Sequence, residues 1–314
     1  MALPVCVARS GVTTARVCSM AEILAAAESI AREAGTLLRD FYHRGVRTEY
    51  KGDVDLVTEA DRASEALIGS RLRAAFPDHG IYGEEGTREG LDGEFRWYVD
   101  PLDGTTNFAH GFPAFCVVLG CERRPAGLAP NEDGEMMAGV IYDPLRDEMF
   151  SAALGEGATL ATGNGENVEP IHVSRVSSLD ESLIATGFPS HKRHKSPNVH
   201  FYQEFTLRSH GVRRAGSAAL DLAYVACGRL DGYWEFQLNP WDTSAGYLLI
   251  EEAGGRITHF DGSKFTLDSR EILASNGLIH PAMEHLFADM FAGRNLDPIL
   301  TPAEFAARRA AEGR

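Results

Sequence analysis

The sequence predicts an α/β protein, with an α+β first half and an α/β second half. Three observations carry this. An amphipathic helix is followed by a second helix and then by short strand-like runs separated by turn residues, the pattern of antiparallel hairpins. A glycine-rich polar stretch at 155–170 interrupts the pattern. Beyond it, strands and helices alternate, as they do where helices cover a sheet.

In order, Ile23, Leu24, Ala27, Ile30, Ala31, Ala34, Leu37, Leu38 and Phe41 form the apolar stripe of a helix over 21–43, and Gly45 stops it. Thr58 followed by Asp61 reads as a capping box that opens a second helix to about 76. The turn Pro77-Asp78-His79-Gly80 leads to a short strand at 81–82, which ends in Gly83-Glu84-Glu85-Gly86, expected as a flexible acidic loop. Strands are expected at 95–99, 114–122, 136–142 and 148–153, the last two joined by Asp143-Pro144-Leu145-Arg146-Asp147. The stretch 155–170 is the expected boundary between a half at 20–160 and a half at 161–292. The second half reads as strand 182–186, helix 197–209, strand 212–214, helix 217–227 and strand 232–236. A helix at 240–253 follows with Pro240 at its first position, then strands 256–258 and 272–275, and helix 281–291. Residues 293–314 read as a helical tail rich in Ala, Glu and Arg.

The 314 residues suffice for a large core. A formal charge of −15 argues against nucleic acid or an anionic membrane as partner. No run of about 18 apolar residues exists, so no transmembrane helix is expected. The cysteines, Cys6, Cys18, Cys116, Cys121 and Cys227, form no CxxC and indicate neither a disulfide framework nor a zinc site. A reducing cytoplasm fits them best, with Cys116 and Cys121 as buried small hydrophobes. Residues 1–19 hold Arg9 and Arg16, no acid and no secretory apolar core. They read as a disordered leader or an upstream-start extension, with Met20 opening the folded protein.

The most informative stretch is Trp97-Tyr98-Val99-Asp100-Pro101-Leu102-Asp103-Gly104-Thr105-Thr106-Asn107-Phe108. It describes a strand ending in a tight turn that brings two carboxylates to one point, with a helix N-terminus facing them. Such a place favours a hard cation and a phosphate. Other acids stand at element ends: Asp61, Glu84, Glu85, and Asp242 in the first turn after Pro240. Asp61 and Asp242 also suit a helix N-terminus by charge alone, at about 0.3–1 kcal/mol. Asp100 directly follows an apolar strand, where carboxylates are rarely buried without partners. Two carboxylates ~4 Å apart repel by about 4 kcal/mol at an effective dielectric near 20, and a divalent cation is the usual remedy. All the candidate ligands are oxygen donors, which favours Mg²⁺ over zinc. Several acids around two ions suit phosphoryl transfer to water.

These segments, together with Trp241-Asp242-Thr243-Ser244-Ala245-Gly246 and Glu252-Ala253-Gly254-Gly255, resemble the inositol monophosphatase family, Mg²⁺-dependent and lithium-sensitive phosphatases. The resemblance covers about residues 21–290. It implies a layered α-β-α-β-α sandwich, also that of fructose-1,6-bisphosphatase, and a homodimer. It implies that Glu84, Asp100, the Leu102 carbonyl and Thr105 hold a first Mg²⁺, and that Asp100, Asp103 and Asp242 hold a second. Asp61, in Asp55-Leu56-Val57-Thr58-Glu59-Ala60-Asp61, matches an acid that reaches a third, weaker ion through water. Glu84 and Thr105 would position and deprotonate the attacking water, and the N–H groups of Gly104 and Thr105 would receive the phosphate. Gly216, Ser217 and Ala218 match a segment lining the substrate pocket, and Glu235 a glutamate that binds sugar hydroxyls.

Two positions depart from the pattern: Gln237 stands where bacterial relatives usually have glycine, and Asn239 where a basic residue is common. The basic segment His191-Lys192-Arg193-His194-Lys195 reads either as a solvated loop or as an attractor for an anionic substrate. The expected activity is hydrolysis of a small polyol or sugar phosphate, myo-inositol 1-phosphate above all. Histidinol phosphate, fructose 1,6-bisphosphate and NADP(H) are competing substrates of the same chemistry. A regulatory protein that keeps the fold for partner binding is a reading of another class.

Overall fold

Ser19 opens the first helix through a reciprocal capping box with Glu22. The computed structural model describes residues 19–45, 48–50, 56–128, 132–188, 196–296 and 300–312, with backbone alone at 48–50 and 56–57. The expected leader up to residue 18, Asp55 and the basic segment at 191–195 lie outside the described residues. In α1 (Met20–Arg44) the apolar stripe from Ile23 to Phe41 is buried, and basic His43 and Arg44 occupy the last turn. A two-stranded antiparallel ribbon, β1 (Thr48–Tyr50) and β2 (Leu56–Thr58), leads to α2 (Glu59–Ala75). The capping box at its start is present, with Thr58 and Asp61 bonded reciprocally.

Then follow β3 (Gly80–Gly83), β4 (Arg88–Glu89), β5 (Phe95–Asp103), the short α3 (Thr105–Ala109), β6 (Cys116–Arg123), β7 (Glu135–Asp143), β8 (Glu148–Ala153), β9 (Gly157–Thr162) and β10 (Asn167–Ile171). They form one eight-stranded sheet in the order β10-β9-β8-β7-β6-β5-β3-β4. The expected antiparallel pattern holds for all of it except β3 beside β5, which is parallel, because the antiparallel β4 returns the chain to the end where β3 began. The glycine-rich stretch at 155–170 is built as β9 and β10, and its glycines 155, 157, 163 and 165 take the positive φ of tight turns. The change of sheet falls after Ile171.

The second sheet has the order β12-β11-β13-β15-β14. Its elements are β11 (Leu183–Thr186), α4 (Asn198–Arg208), β12 (Gly211–Arg213), α5 (Ala218–Ala226), β13 (Gly232–Phe236), α6 (Pro240–Glu252), β14 (Arg256–Thr258), β15 (Glu271–Ser275) and α7 (His280–Ala292). β12, β11 and β13 are parallel, and β13, β15 and β14 antiparallel. The helical tail α8 (Pro302–Ala311) buries none of its residues.

Three cores separate five layers. One lies between α1, α2 and one face of the first sheet. The largest joins the other face of that sheet to α5, α6 and the inner face of the second sheet. The third lies between the outer face of the second sheet and helices α4 and α7. The α-β-α-β-α sandwich implied by the resemblance is the observed architecture. Cys116 and Cys121 are fully buried in it.

Candidate active site

An irregularity in β5 aims the first two acids. Asp100 pairs with Val118 of β6, and Asp103 with Cys116, so three steps along β5 match two along β6. Residues three apart in a regular strand face opposite sides; the extra residue of this bulge returns both carboxylates to one side. Pro101 sits in the bulge, where its missing N–H breaks no ladder bond. Its carbonyl accepts from Ser64 Oγ of α2 at 2.9 Å, and the Leu102 N–H donates to Asp100 Oδ1 at 2.9 Å. Gly104 then turns the chain at φ 96°, with a would-be Cβ 2.8 Å from the Ala114 carbonyl oxygen, so only glycine makes this turn.

Thr105 opens α3 with its hydroxyl 3.0 Å from Asp61 Oδ1 and 3.1 Å from the Leu102 carbonyl oxygen. The other Asp61 oxygen, Oδ2, accepts from the Thr58 N–H at 2.8 Å and the Thr58 hydroxyl at 2.6 Å. Capping therefore uses one oxygen of Asp61 and leaves the other to the site. Asp242 is built the same way: its Oδ2 accepts from the Asn239 N–H at 2.7 Å in the capping box of α6. What brings Asp242 to β5 is close packing of α6 on the first sheet. A Cβ on Gly120 would lie 2.4 Å from Ser244 Oγ, and one on Gly139 2.9 Å from Ala245 Cα. Asp103 is held from the second half, its Oδ2 accepting from Ser217 Oγ at 2.6 Å and the Ala219 N–H at 2.8 Å.

The Glu84 loop is not loose, contrary to the expectation. The Glu84 N–H donates to the Val99 carbonyl at 3.0 Å. The buried Glu65 of α2 accepts from the Glu85 N–H at 2.7 Å, the Thr87 N–H at 2.9 Å and the Thr87 hydroxyl at 2.7 Å. Gly83 leaves the room: a Cβ there would lie 2.5 Å from Glu65 Oε2.

A cleft of about 200 Å³ runs between the halves. Glu84, Asp103, Gly104 and Thr105 line one wall, with Asp242 beside them. Gly187, Arg214, Gly216, Ala218 and Glu235 line the other. Ser217, matched to the pocket-lining segment, instead turns its hydroxyl to Asp103 and caps α5. Asp61, Asp100 and Leu102 stand behind the lining. Three contributors had no signal in the sequence. Glu65 is one acid among many on a helix. Asn107 bridges the halves by donating to the Ala114, Ala215 and Gly216 carbonyls. Arg214 lines the cleft beside Gly216, where a Cβ would lie 3.0 Å from its Nη1.

Burial and mutual repulsion push these acids up. Asp100 is raised well above the carboxylate range, by burial first and then by the charges of Glu84, Asp103 and Asp242. Burial raises Asp103 against the bonds from Ser217 and Ala219. Asp242 is pushed up to about 7, by burial and then the Asp103 charge. Glu235 is pushed up to about 8 by burial, opposed by the hydrogen bond from Tyr233. Asp61 is raised by burial against its bonds to Thr58 and Thr105. Crowded carboxylates repel one another, and a cation lets them ionise together. The donors suit a hard ion: carboxylates, one carbonyl and a hydroxyl, all oxygen. Among the described residues no three His, Cys, Asp or Glu side chains form a ready-made metal cage. One oxygen of each of Asp100, Asp103 and Asp242 is engaged by a protein donor, and both oxygens of Asp61 are.

A sequence model of the inositol monophosphatase family matches residues 19–291. The chain belongs to the inositol monophosphatase family. Members of this family are phosphatases, and the chain is an enzyme of that class. It is 46% identical over 238 residues to an inositol-1-monophosphatase of Synechocystis, covering 74% of this chain and 77% of that protein. It is 41% identical over 256 residues to a protein of Pseudomonas aeruginosa named Nus factor SuhB, covering 78% of this chain and 88% of the relative. Among solved structures, the inositol monophosphatase from Anabaena superposes with a TM-score of 0.74 at 41% identity, covering 86% of this chain and 96% of that one.

Within this family fold, the departure at Gln237 has a structural consequence. Gln237 adopts φ 63°, the left-handed region that glycine enters freely and a glutamine enters at a cost of about 1–2 kcal/mol. It follows β13 directly and donates its N–H to the Arg270 carbonyl at 2.5 Å.

Proposed function

We propose that the protein is a Mg²⁺-dependent phosphomonoesterase acting on a small polyol or sugar phosphate, myo-inositol 1-phosphate above all. The observation that carries this reading is the convergence of Glu84, Asp100, Asp103 and Asp242, crowded carboxyl groups whose mutual repulsion a cation would relieve. Glu84, Asp100, Thr105 and the Leu102 carbonyl would hold one Mg²⁺, and Asp100, Asp103 and Asp242 a second. Bound Mg²⁺ lowers the pKa of water and neutralises charge on the leaving oxygen.

The chain's own groups do the rest. The N–H groups of Gly104 and Thr105 orient the phosphate at the turn after β5. Glu84 and Thr105 position the attacking water and take its proton. Asp61, bonded to the Thr105 hydroxyl, fixes that hydroxyl's direction. Glu235 accepts from substrate hydroxyls across the cleft. In this reading residues 20–160 hold metal and phosphate, residues 161–292 choose the substrate, and the enzyme works as a cytoplasmic homodimer.

The test is phosphate release from a panel: myo-inositol 1-phosphate, histidinol phosphate, fructose 1,6-bisphosphate and NADP(H), with and without Mg²⁺ and lithium. Mg²⁺-dependent, lithium-inhibited release from the first is expected. Absence of release from every substrate overturns the reading. Sedimentation of the purified chain as a monomer overturns the dimer.

A further inference from the structure

We propose that Tyr233 and Gly187 are the positioning residues through which Glu235 recognises substrate hydroxyls, setting affinity for the alcohol part and leaving the phosphate end untouched. The proposal rests on the reading of Glu235 as a hydroxyl acceptor.

Glu235 stands near the end of β13, and Tyr233, two residues earlier, shares its face. Tyr233 is fully buried, and its hydroxyl donates to Glu235 Oε2. A buried phenol needs an acceptor, and a buried carboxylate needs a donor, so each fixes the other. Beside β13 lies β11, with Thr186 paired to Trp234, which places Gly187 next to Glu235. A Cβ on Gly187 would lie 2.1 Å from both Glu235 carboxylate oxygens. The carboxylate therefore lies flat against the Gly187 backbone, in space that every other residue would fill.

That backbone is itself pinned from the outer face of the sheet. The fully buried Asn198, first residue of α4, donates to the Gly187 carbonyl at 2.5 Å and to Thr186 Oγ1 at 3.1 Å. Its Oδ1 accepts from Trp234 Nε1 at 2.6 Å, and Trp234 stacks on Phe205 with centroids 4.2 Å apart. Tyr233 thus fixes the carboxylate from within, and the Trp234–Asn198–Gly187 chain fixes the surface it rests on. The open side is the cleft, which Glu235 and Gly187 both line. With Oε2 engaged, Oε1 remains to accept from a substrate hydroxyl, and its side chain loses little freedom on binding.

The test compares the wild type with Tyr233→Phe and Gly187→Ala, measuring kcat and KM for myo-inositol 1-phosphate and the competitive inhibition constant of inorganic phosphate. Loss of one buried hydrogen bond predicts that Tyr233→Phe raises KM about tenfold, with kcat and the phosphate constant within about twofold. Gly187→Ala, which displaces the carboxylate, raises KM further in the same pattern. If Gly187→Ala does not fold, Tyr233→Phe decides alone. An unchanged KM, or a phosphate constant that rises with KM, overturns the positioning role while the substrate reading stands. A wild type that turns over no polyol phosphate overturns both.

Discussion

The two walls of the cleft are built by different means. The wall assigned to the phosphate is built around one short stretch, residues 100–105, shaped by a strand bulge and a glycine turn and steadied by Asp61 of α2, with the Glu84 loop held beside it by Glu65. The opposite wall is assembled from the ends of β11 and β13 and the start of α5, with Arg214 and Gly216 between. The lesson is about where change is tolerated. The first wall is fixed by backbone geometry and crowded acids, so its parts are not exchangeable. The second is fixed by side-chain bonds between distant segments, so single residues can retune it.

The largest expected effect is on the first wall. Asp103→Asn should lower kcat/KM by more than about 100-fold, beyond the loss typical of an outer-sphere partner. Its near-isosteric amide should keep the fold, so the circular dichroism spectrum stays native; retained activity would remove Asp103 from the essential set.

Next in size is a pH effect that touches both halves alike. His79, stacked between Phe76 and Phe95 and bonded to Trp97 Nε1, is lowered to about 4 by burial. His280, fully buried between Thr258 and Ser275, is also lowered to about 4 by burial. The unfolded chain binds these protons near pH 6.5 and the folded chain only near 4, so the histidines' share of the stability is complete above 6.5 and is lost between 6.5 and 4, while the raised acids Asp242 and Glu235 act in the opposite sense. His280 alone accounts for about 3 kcal/mol over that window. Urea midpoints of the wild type and of His280→Gln at pH 7 and pH 4.5 isolate that share, and the same pH slope in both removes His280 as its source.

Mg²⁺ should act on the first wall alone by relieving its crowded acids. At a hundredfold excess over its Kd it should add about 2.7 kcal/mol of stability, read as a rise in Tm that EDTA reverses. An unchanged Tm breaks the proposed metal site. Glu65→Gln tests the support of the Glu84 loop: it should weaken Mg²⁺ binding about tenfold by calorimetry, as outer-sphere changes do. The same affinity as wild type shows that the loop holds without Glu65. The smallest effect lies just behind the second wall, after β13. Gln237→Gly should raise stability by about 1 kcal/mol by releasing the left-handed strain; a loss in the urea midpoint shows that the glutamine side chain compensates for its backbone.

Much of this architecture was legible in the sequence. The periodicity of α1, the capping box of α2, the Pro240 start of α6 and the alternation after residue 171 are local patterns, and local patterns survive folding. β4, β9 and β10 escaped notice because strands dense in turn residues look like loops until a neighbouring strand pairs with them. The run at 97–108 likewise announced two acids, a turn and a helix start by itself. Only the tertiary structure decided how Asp100 and Asp103 face one side, because that depends on a pairing offset against β6. Only it brought Asp242 to them, through small residues of α6 seated on Gly120 and Gly139. Glu65, Asn107 and Tyr233 became visible only there too. A residue that steadies another carries no pattern of its own; its partner lies far away in sequence, and packing alone makes them neighbours.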